Sequence, residues 1–152
     1  LAYKNQELFD YSFKGGTVIV QYNTNRNLVT QEIAPYPLLL SRDRVSVETA
    51  PVMILEPKHR SMNFPNKITM RDFDGWVQER GLYFCSEWDE KFTPILSSND
   101  PDESPKKGGL LVASHGEGYY IYSGYSWFRE LPAGVEGAYR MFTNLISMGK
   151  DH

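Results

Sequence analysis

A single cysteine, Cys85, excludes an internal disulfide and any cysteine-built zinc knuckle. It leaves the redox compartment open, because a lone buried thiol is tolerated anywhere. Long apolar runs are also missing. Stretches such as Pro37-Leu38-Leu39-Leu40 fall far short of the ~18 residues that cross a bilayer, so no membrane span is expected. Neither charge sign dominates. Sixteen Lys and Arg stand against 19 Asp and Glu, a net charge of −3, which gives no field to draw the chain to nucleic acid. There is no repeat, no low-complexity tract and no signal-peptide pattern. The chain begins at Leu1 rather than Met, which reads as a processed product or a piece of something longer.

What is present is ordinary for a folded chain, with one exception. The 152 residues fit a single domain, and 41% of them are hydrophobic, enough for a core without covalent staples. The exception is the aromatic fraction of 14%, which supplies large buried areas or flat binding surfaces.

Patterning gives a coarse order of elements. Residues 6–14 place Leu8, Phe9, Ser12 and Phe13 on one side of a helix, and Gly15-Gly16 ends it. Thr17 to Tyr22 is β-branched and nearly all apolar, as in a strand covered on both faces. The polar Asn23–Asn27 follows that strand, where open α/β sheets bind ligands. Residues 28–44, with Pro35 and Pro37, read as a loop. One or two short strands are expected between Val45 and Leu55, and irregular chain from His59 to Lys67. Thr69 and Asp72 have capping-box spacing and predict a helix running to Arg80, stopped by Gly81. Strands are expected at Leu82–Phe84 and Thr93–Leu96, then a polar, mobile loop from Ser97 to Lys107. Residues 109–114 and 119–123 form the clearest hairpin, joined by His115-Gly116-Glu117-Gly118. Gly124 to Gly134 reads as a loop or short turn, and Val135 to Met148 as an amphipathic helix ended by Gly149.

Most candidate chemistry has a plainer reading beside it. Gly124-Tyr125-Ser126-Trp127-Phe128 fails as a nucleophile elbow, because Phe128 stands where the tight turn needs glycine. Cys85 lacks flanking glycines or a device that would lower its pKa, so it reads as a small buried hydrophobe. Glu56 and His59 have E-x-x-H spacing, but Pro57 argues against a helix presenting both. Asp100, Asp102 and Glu103 lack a calcium-loop pattern. Gly116-Glu117-Gly118 joins two strands, so it offers a phosphate no helix N-terminus. A polar and aromatic set remains: Asn23, Asn25, Arg26, Arg42, Arg44, Trp76, Glu79, Arg80, Trp88, Trp127 and Arg129. Planar donors beside aromatic faces suit carbohydrates or carboxylates, and they equally suit internal ion pairs that pin loops.

Several blocks carry a family resemblance. They are Gly15 to Asn25 (GGTVIVQYNTN), Pro35 to Leu38, Ser41 to Val45 (SRDRV), Gly75 to Phe84 (GWVQERGLYF), Pro94 to Asp100 and Tyr120 to Gly149. Together they resemble the C-terminal region of bacterial PIG-L/LmbE-type deacetylases that have an extra C-terminal domain. The resemblance implies a flavodoxin-like, class I glutamine-amidotransferase-like α/β three-layer sandwich, with some similarity to ThuA-type proteins. It also implies that the first strands of such a domain precede Leu1, leaving a partial or rearranged sheet with a β-hairpin near the C-terminus. The family's zinc-binding His-Pro-Asp-Asp motif belongs to a separate N-terminal domain and has no counterpart here. His115-Gly116-Glu117 spells the amidotransferase His-x-Glu pair without an elbow cysteine.

The resulting expectation is one α/β domain over 1–152, an accessory part of a PIG-L/LmbE-like deacetylase. It would bind or position a glycan-type substrate, or pack on the catalytic domain, in a periplasmic or secreted setting. Its own cofactors would be none and its catalytic residues none. The alternative is a hydrolase or amidotransferase-like enzyme using His115 and Glu117 with Cys85 or Ser126.

Overall fold

Alternating burial builds the centre of the molecule. The structure, a computed structural model, describes residues 4–23 and 33–149. The chain is a mixed α/β protein whose main sheet has four strands in the order β1-β8-β7-β5. These are Thr17–Gln21 (β1), Phe92–Pro94 (β5), Leu110–His115 (β7) and Gly118–Ser123 (β8). β1 and β8 run parallel, and the β8–β7 and β7–β5 pairs are antiparallel.

Side chains leave successive residues of a strand on opposite faces. Val18, Val20, Leu111, Ala113, Tyr120 and Tyr122 therefore enter one core, with Leu8 and Phe9 of helix α1 (Asn5–Phe13) packed against it. Leu110, Val112 and Ile121 enter the other, which is closed by Ala138, Met141 and Leu145 of helix α3 (Glu136–Ile146). One helix thus covers each face of the sheet. The period of three and four residues in α3 carries this directly, and its apolar stripe is the buried one.

Two antiparallel pairs flank the sheet. β2 (Leu38–Val45) pairs with β4 (Gly81–Trp88), and β3 (Val52–Ile54) pairs with β6 (Leu96–Ser98). Here the structure departs from the sequence reading. The described part of the expected 28–44 loop contains all but the last residue of the eight-residue strand β2, whose register with β4 slips at three points. Those bulges blur the strict alternation by which a strand is recognised.

The helix expected over 69–80 is a 3-10 turn, Met70–Phe73. Its capping box is present, with Thr69 and Asp72 bonded reciprocally, but Asp74 turns extended and Gly75 takes φ 75°. Trp76 and Arg80 are drawn into the core instead of lying along a helix face. The expected Thr93–Leu96 strand divides into β5 and β6. The Ser97–Lys107 loop is pinned by the Asp100 carboxylate, which accepts hydrogen bonds from the N–H groups of Ser46 (2.9 Å) and Val47 (2.8 Å) and from the Ser46 hydroxyl (2.8 Å). Residues 124–134 hold a four-residue helix, α2 (Trp127–Glu130).

The hairpin between β7 and β8 has a two-residue turn, with Gly116 at φ 57°. A side chain at 116 would meet the Phe13 carbonyl at 2.3 Å, so glycine here serves both the turn and its docking on α1.

α3 is held by polar groups as well as apolar ones. Asn144 is fully buried and fully used. Its Nδ2 donates to the carbonyls of Ser61 (2.8 Å) and Asn66 (2.7 Å), and its Oδ1 accepts the Asn66 N–H (2.9 Å). At the N-terminal end of the helix a Cβ on Gly137 would lie 1.8 Å from the Asp72 carbonyl oxygen. Propensity alone would make Gly137→Ala stabilising by about 1 kcal/mol. The collision is with backbone, which cannot swing aside, and overpacking of this kind costs roughly 1–3 kcal/mol. We expect G137A to lower the urea midpoint; an unchanged or raised midpoint would show that α3 has slack at this contact.

Candidate functional site

The parallel pair defines one edge of the sheet where both strands end together, Gln21 opposite Ser123, extended by the Tyr22 N–H donating to the Ser123 carbonyl at 2.8 Å. Carboxyl ends of parallel strands are where open α/β sheets hold ligands. Against this edge lies a strained loop. The Glu79 N–H donates to the Val77 carbonyl at 2.8 Å around Gln78, which sits at φ 68°. That is a γ-turn of the positive-φ hand, the rarer and more strained of the two.

Two carboxylates clamp the turn. Glu130 Oε1 accepts the Val77 N–H at 2.5 Å, and Glu48 Oε2 accepts the Gln78 N–H at 2.6 Å. Behind it, the buried Arg80 guanidinium donates to the carbonyls of Ala50 and Phe73 and lies over the Phe73 and Trp76 rings.

The turn delivers Glu79, only 6% exposed, to the sheet edge. Its Oε1 accepts hydrogen bonds from the Tyr22 hydroxyl (2.8 Å), the Ser126 hydroxyl (3.1 Å) and Arg129 Nε (3.2 Å). Its Oε2 has the Arg44 guanidinium at 3.8 Å. Arg129 also donates to Gln78 Oε1 at 2.5 Å. The Tyr22 ring stands edge-on to Tyr83 and to the exposed Phe128, with centroids at 5.3 and 4.6 Å.

Of the four non-glycine residues with positive φ among those described, three surround this carboxylate: Tyr22, Gln78 and Tyr83. Such conformations cost about 1–3 kcal/mol each and concentrate at functional sites.

Burial first, then the hydrogen bond and charge of Glu79, push the Tyr22 hydroxyl up to about 12, against the opposing pull of Arg129. Burial also raises Glu130, whose Oε2 has no hydrogen-bond partner, above the ordinary carboxyl range. The arrangement can recognise. A half-satisfied carboxylate, two partly exposed guanidinium forks and two aromatic rings lie within one patch. Every donor nearest Oε1 is already committed to it.

The structure brings together Glu79, Arg44 and Arg129 from the sequence-derived set. Asn23 directly follows Tyr22 in sequence. Arg42 is exposed on β2, two residues from Arg44. Trp76, Arg80 and Trp127 are buried structural groups. The Trp indoles donate to the Asp72 carbonyl and to Ser123 Oγ, and their rings meet at 5.5 Å. Asn25 and Arg26 lie outside the described residues. Trp88 is half-buried beside Pro37–Leu39.

Of the residues of the enzyme alternative, Glu117 is exposed in the hairpin turn two residues after His115, and the others have separate surroundings. Cys85 is buried, and burial pushes its thiol up to about 12. The Ser126 hydroxyl is given to Glu79, and the His115 ring bonds Ser12. Among the described residues no three His, Cys, Asp or Glu side chains are grouped to hold a metal ion. Sequence reasoning missed Tyr22, Gln78, Tyr83 and Phe128 as members of the patch. A positive φ at a non-glycine residue leaves no mark in composition or spacing.

No family model matches this chain, and no curated protein matches it either.

Removing the Glu79 carboxylate strands two hydroxyls and takes the shared carboxylate from two guanidinium groups. We expect Glu79→Ala to destabilise by about 2–4 kcal/mol and Glu79→Gln by roughly half that, measured by urea unfolding. Equal stability of all three proteins would reduce the cluster to surface decoration. Alkali gives a second check. Tyr22, Tyr120 and Tyr125 are each raised from 10.0 to about 12, chiefly by burial. A raised folded value means that this stability is whole below pH 10 and is lost as pH climbs toward 12. Tyrosinate absorbance near 295 nm should therefore appear for these groups together with unfolding, not before it.

Proposed function

We propose that this chain is a non-catalytic, ligand-holding α/β domain that binds a polyhydroxylated, glycan-type molecule at the Glu79 patch. We further propose that its sheet is a partial flavodoxin-like, class I glutamine-amidotransferase-like sandwich. A helix on each face and a site at the carboxyl ends of the parallel pair support that relationship. In the setting the PIG-L/LmbE resemblance implies, the domain would present the sugar to an N-terminal deacetylase domain.

The observation that carries the proposal is the division of labour at Glu79. Among the described residues Oε1 is saturated from within the protein, and Oε2 has only a long contact to an exposed arginine. Vicinal hydroxyls can donate to such an oxygen and accept from the two guanidinium forks. The C–H face of a pyranose can lie on Phe128, which is 48% exposed. An enzyme reading finds less support. A nucleophile and base must come within hydrogen-bond reach, roughly 3 Å or one water. Here Cys85 is buried, the Ser126 hydroxyl is bonded to Glu79, and His115 Nδ1 is bonded to Ser12.

The test is a titration with N-acetylglucosamine and its dimer, followed by NMR of the arginine Nε–H signals. The Arg129 resonance should shift saturably, and Arg129→Ala should weaken binding about tenfold, the worth of one charge-assisted hydrogen bond. An unmoved Arg129 signal at saturating sugar, or undiminished affinity in R129A, removes the proposal.

A further inference from the structure

The opposite end of the same parallel pair carries a cavity of about 600 Å³. Helix α1 forms one wall and the segment Ala34–Leu38 the other, with His115, the last residue of β7, at its margin. The second wall is anchored at three points. The Tyr120 hydroxyl donates to the Ile33 carbonyl (2.7 Å), the Tyr36 hydroxyl to the Ser114 carbonyl (3.1 Å), and the Asp89 N–H to the Pro37 carbonyl (2.9 Å). The rings of Phe9, Phe13 and Tyr36 line it. The His115 imidazole meets Phe13 and Tyr36 edge-on, at 5.5 and 5.6 Å.

Proton accounting fixes what His115 offers. Ser12 is fully buried, and its Oγ lies 2.9 Å from the Phe9 carbonyl and 2.7 Å from His115 Nδ1. A hydroxyl has one hydrogen. The carbonyl can only accept, so that hydrogen goes to Phe9, and Nδ1–H must be the donor to Oγ. The same accounting removes Ser12 as a nucleophile. It leaves Nε2 of a neutral ring as an acceptor with no partner among the described residues, and burial lowers the His115 pKa, in keeping with a neutral ring.

The other polar side chains of the wall lean the same way. Tyr36 has spent its hydrogen on Ser114, and Gln6 Nε2 donates to Asp10 Oδ1 at 2.8 Å. Asp10 Oδ2, Gln6 Oε1 and His115 Nε2 remain as acceptors, and among the described residues no Lys or Arg lines the cavity. Lys91 Nζ rests 4.6 Å from the Tyr36 ring centroid, the kind of contact such a face makes with cations.

We propose that this cavity is a second binding site, for a small organic primary ammonium whose N–H groups donate to Asp10 and His115 Nε2 while its carbon body packs on Phe9, Phe13 and Pro35. The site is independent of the Glu79 patch.

The experiment is calorimetric titration of the whole chain at neutral pH with benzylammonium, with benzyl alcohol and benzoate as neutral and anionic counterparts. Long-range ¹H–¹⁵N NMR follows the His115 ring. Saturable binding of benzylammonium, a shift at His115 Nε2, little binding of benzoate and a loss of about tenfold in Asp10→Asn are expected. Asp10 is exposed, so D10N should keep its circular dichroism, and E79Q should bind benzylammonium like the parent chain. Absence of saturable binding, equal affinity for benzyl alcohol, or full affinity in D10N overturns the proposal. Because the N-acetylglucosamine titration reads Arg129 and this one reads His115, either can fail without the other.

Discussion

A carboxylate taken out of water must be compensated where it stands, and Glu79 is the place where this chain meets that demand. Desolvating an ion costs several kcal/mol after relaxation, and only good geometry with further hydrogen bonds offsets it. The groups that meet the cost come from distant parts of the sequence: Tyr22 after β1, Arg44 on β2, and Ser126 and Arg129 after β8. Satisfying one side chain therefore closes the sheet edge. The γ-turn at Gln78 persists because neighbouring structure over-determines it. Its N–H groups are held by Glu48 and Glu130, and Arg80 bonds to the carbonyls of Ala50 and Phe73 just behind. Local strain is tolerated at the site because core packing supports it from beneath.

The two faces of the main sheet divide this work. The face under α3 contains Trp76, Tyr125 and Trp127, whose rings meet one another and whose polar atoms are each hydrogen-bonded. These rings occupy the space between sheet, 3-10 turn and α3, and they hold the segment that ends in Glu79. The face under α1 is simpler, aliphatic and tyrosine-rich, and Tyr120 and Tyr122 send their hydroxyls to the carbonyls of Ile33 and Tyr83. Tyrosine is useful in both places for one reason. Its ring fills the core while its hydroxyl satisfies an irregular backbone that has no ladder partner.

Legibility in the sequence followed how local the determining physics was. α1, β1, the β7–β8 hairpin and α3 were readable because their own residues decide them: the Gly15-Gly16 stop, the β-branched run at 17–20, Gly116 at the turn, and the periodic stripe of α3. β2 was not, because its bulges break the alternation and its pairing with β4 is remote in sequence. The 69–80 helix failed for a related reason. The capping box was real, but tertiary burial of Trp76 and Arg80 outweighed helical propensity beyond the first turn. Glu79, Arg44 and Arg129 were nameable as a polar set. That they converge depends on contacts more than thirty residues apart along the chain, and that Trp76, Arg80 and Trp127 do not join them depends on their burial in the core.

The two ends of the parallel pair differ in chemistry, and the connections explain why. At the carboxyl end Tyr22 follows β1, and Ser126 and Arg129 follow β8, so side chains from several elements come to a common point. Cations and a carboxylate gather there. At the amino end β8 is entered through a two-residue turn and β1 through Gly15-Gly16, so little chain is available to carry functional groups. The side chains found there belong to α1 and to the end of β7. Helix α1 contributes Asp10 and Gln6 from its outward side and Ser12 from its buried side, and Ser12 sets the tautomer of His115. A short connection thus yields a small acceptor-lined cavity, and a long one yields a broad mixed-charge patch. The polarity of one strand pair is enough to give a single sheet two unlike recognition surfaces.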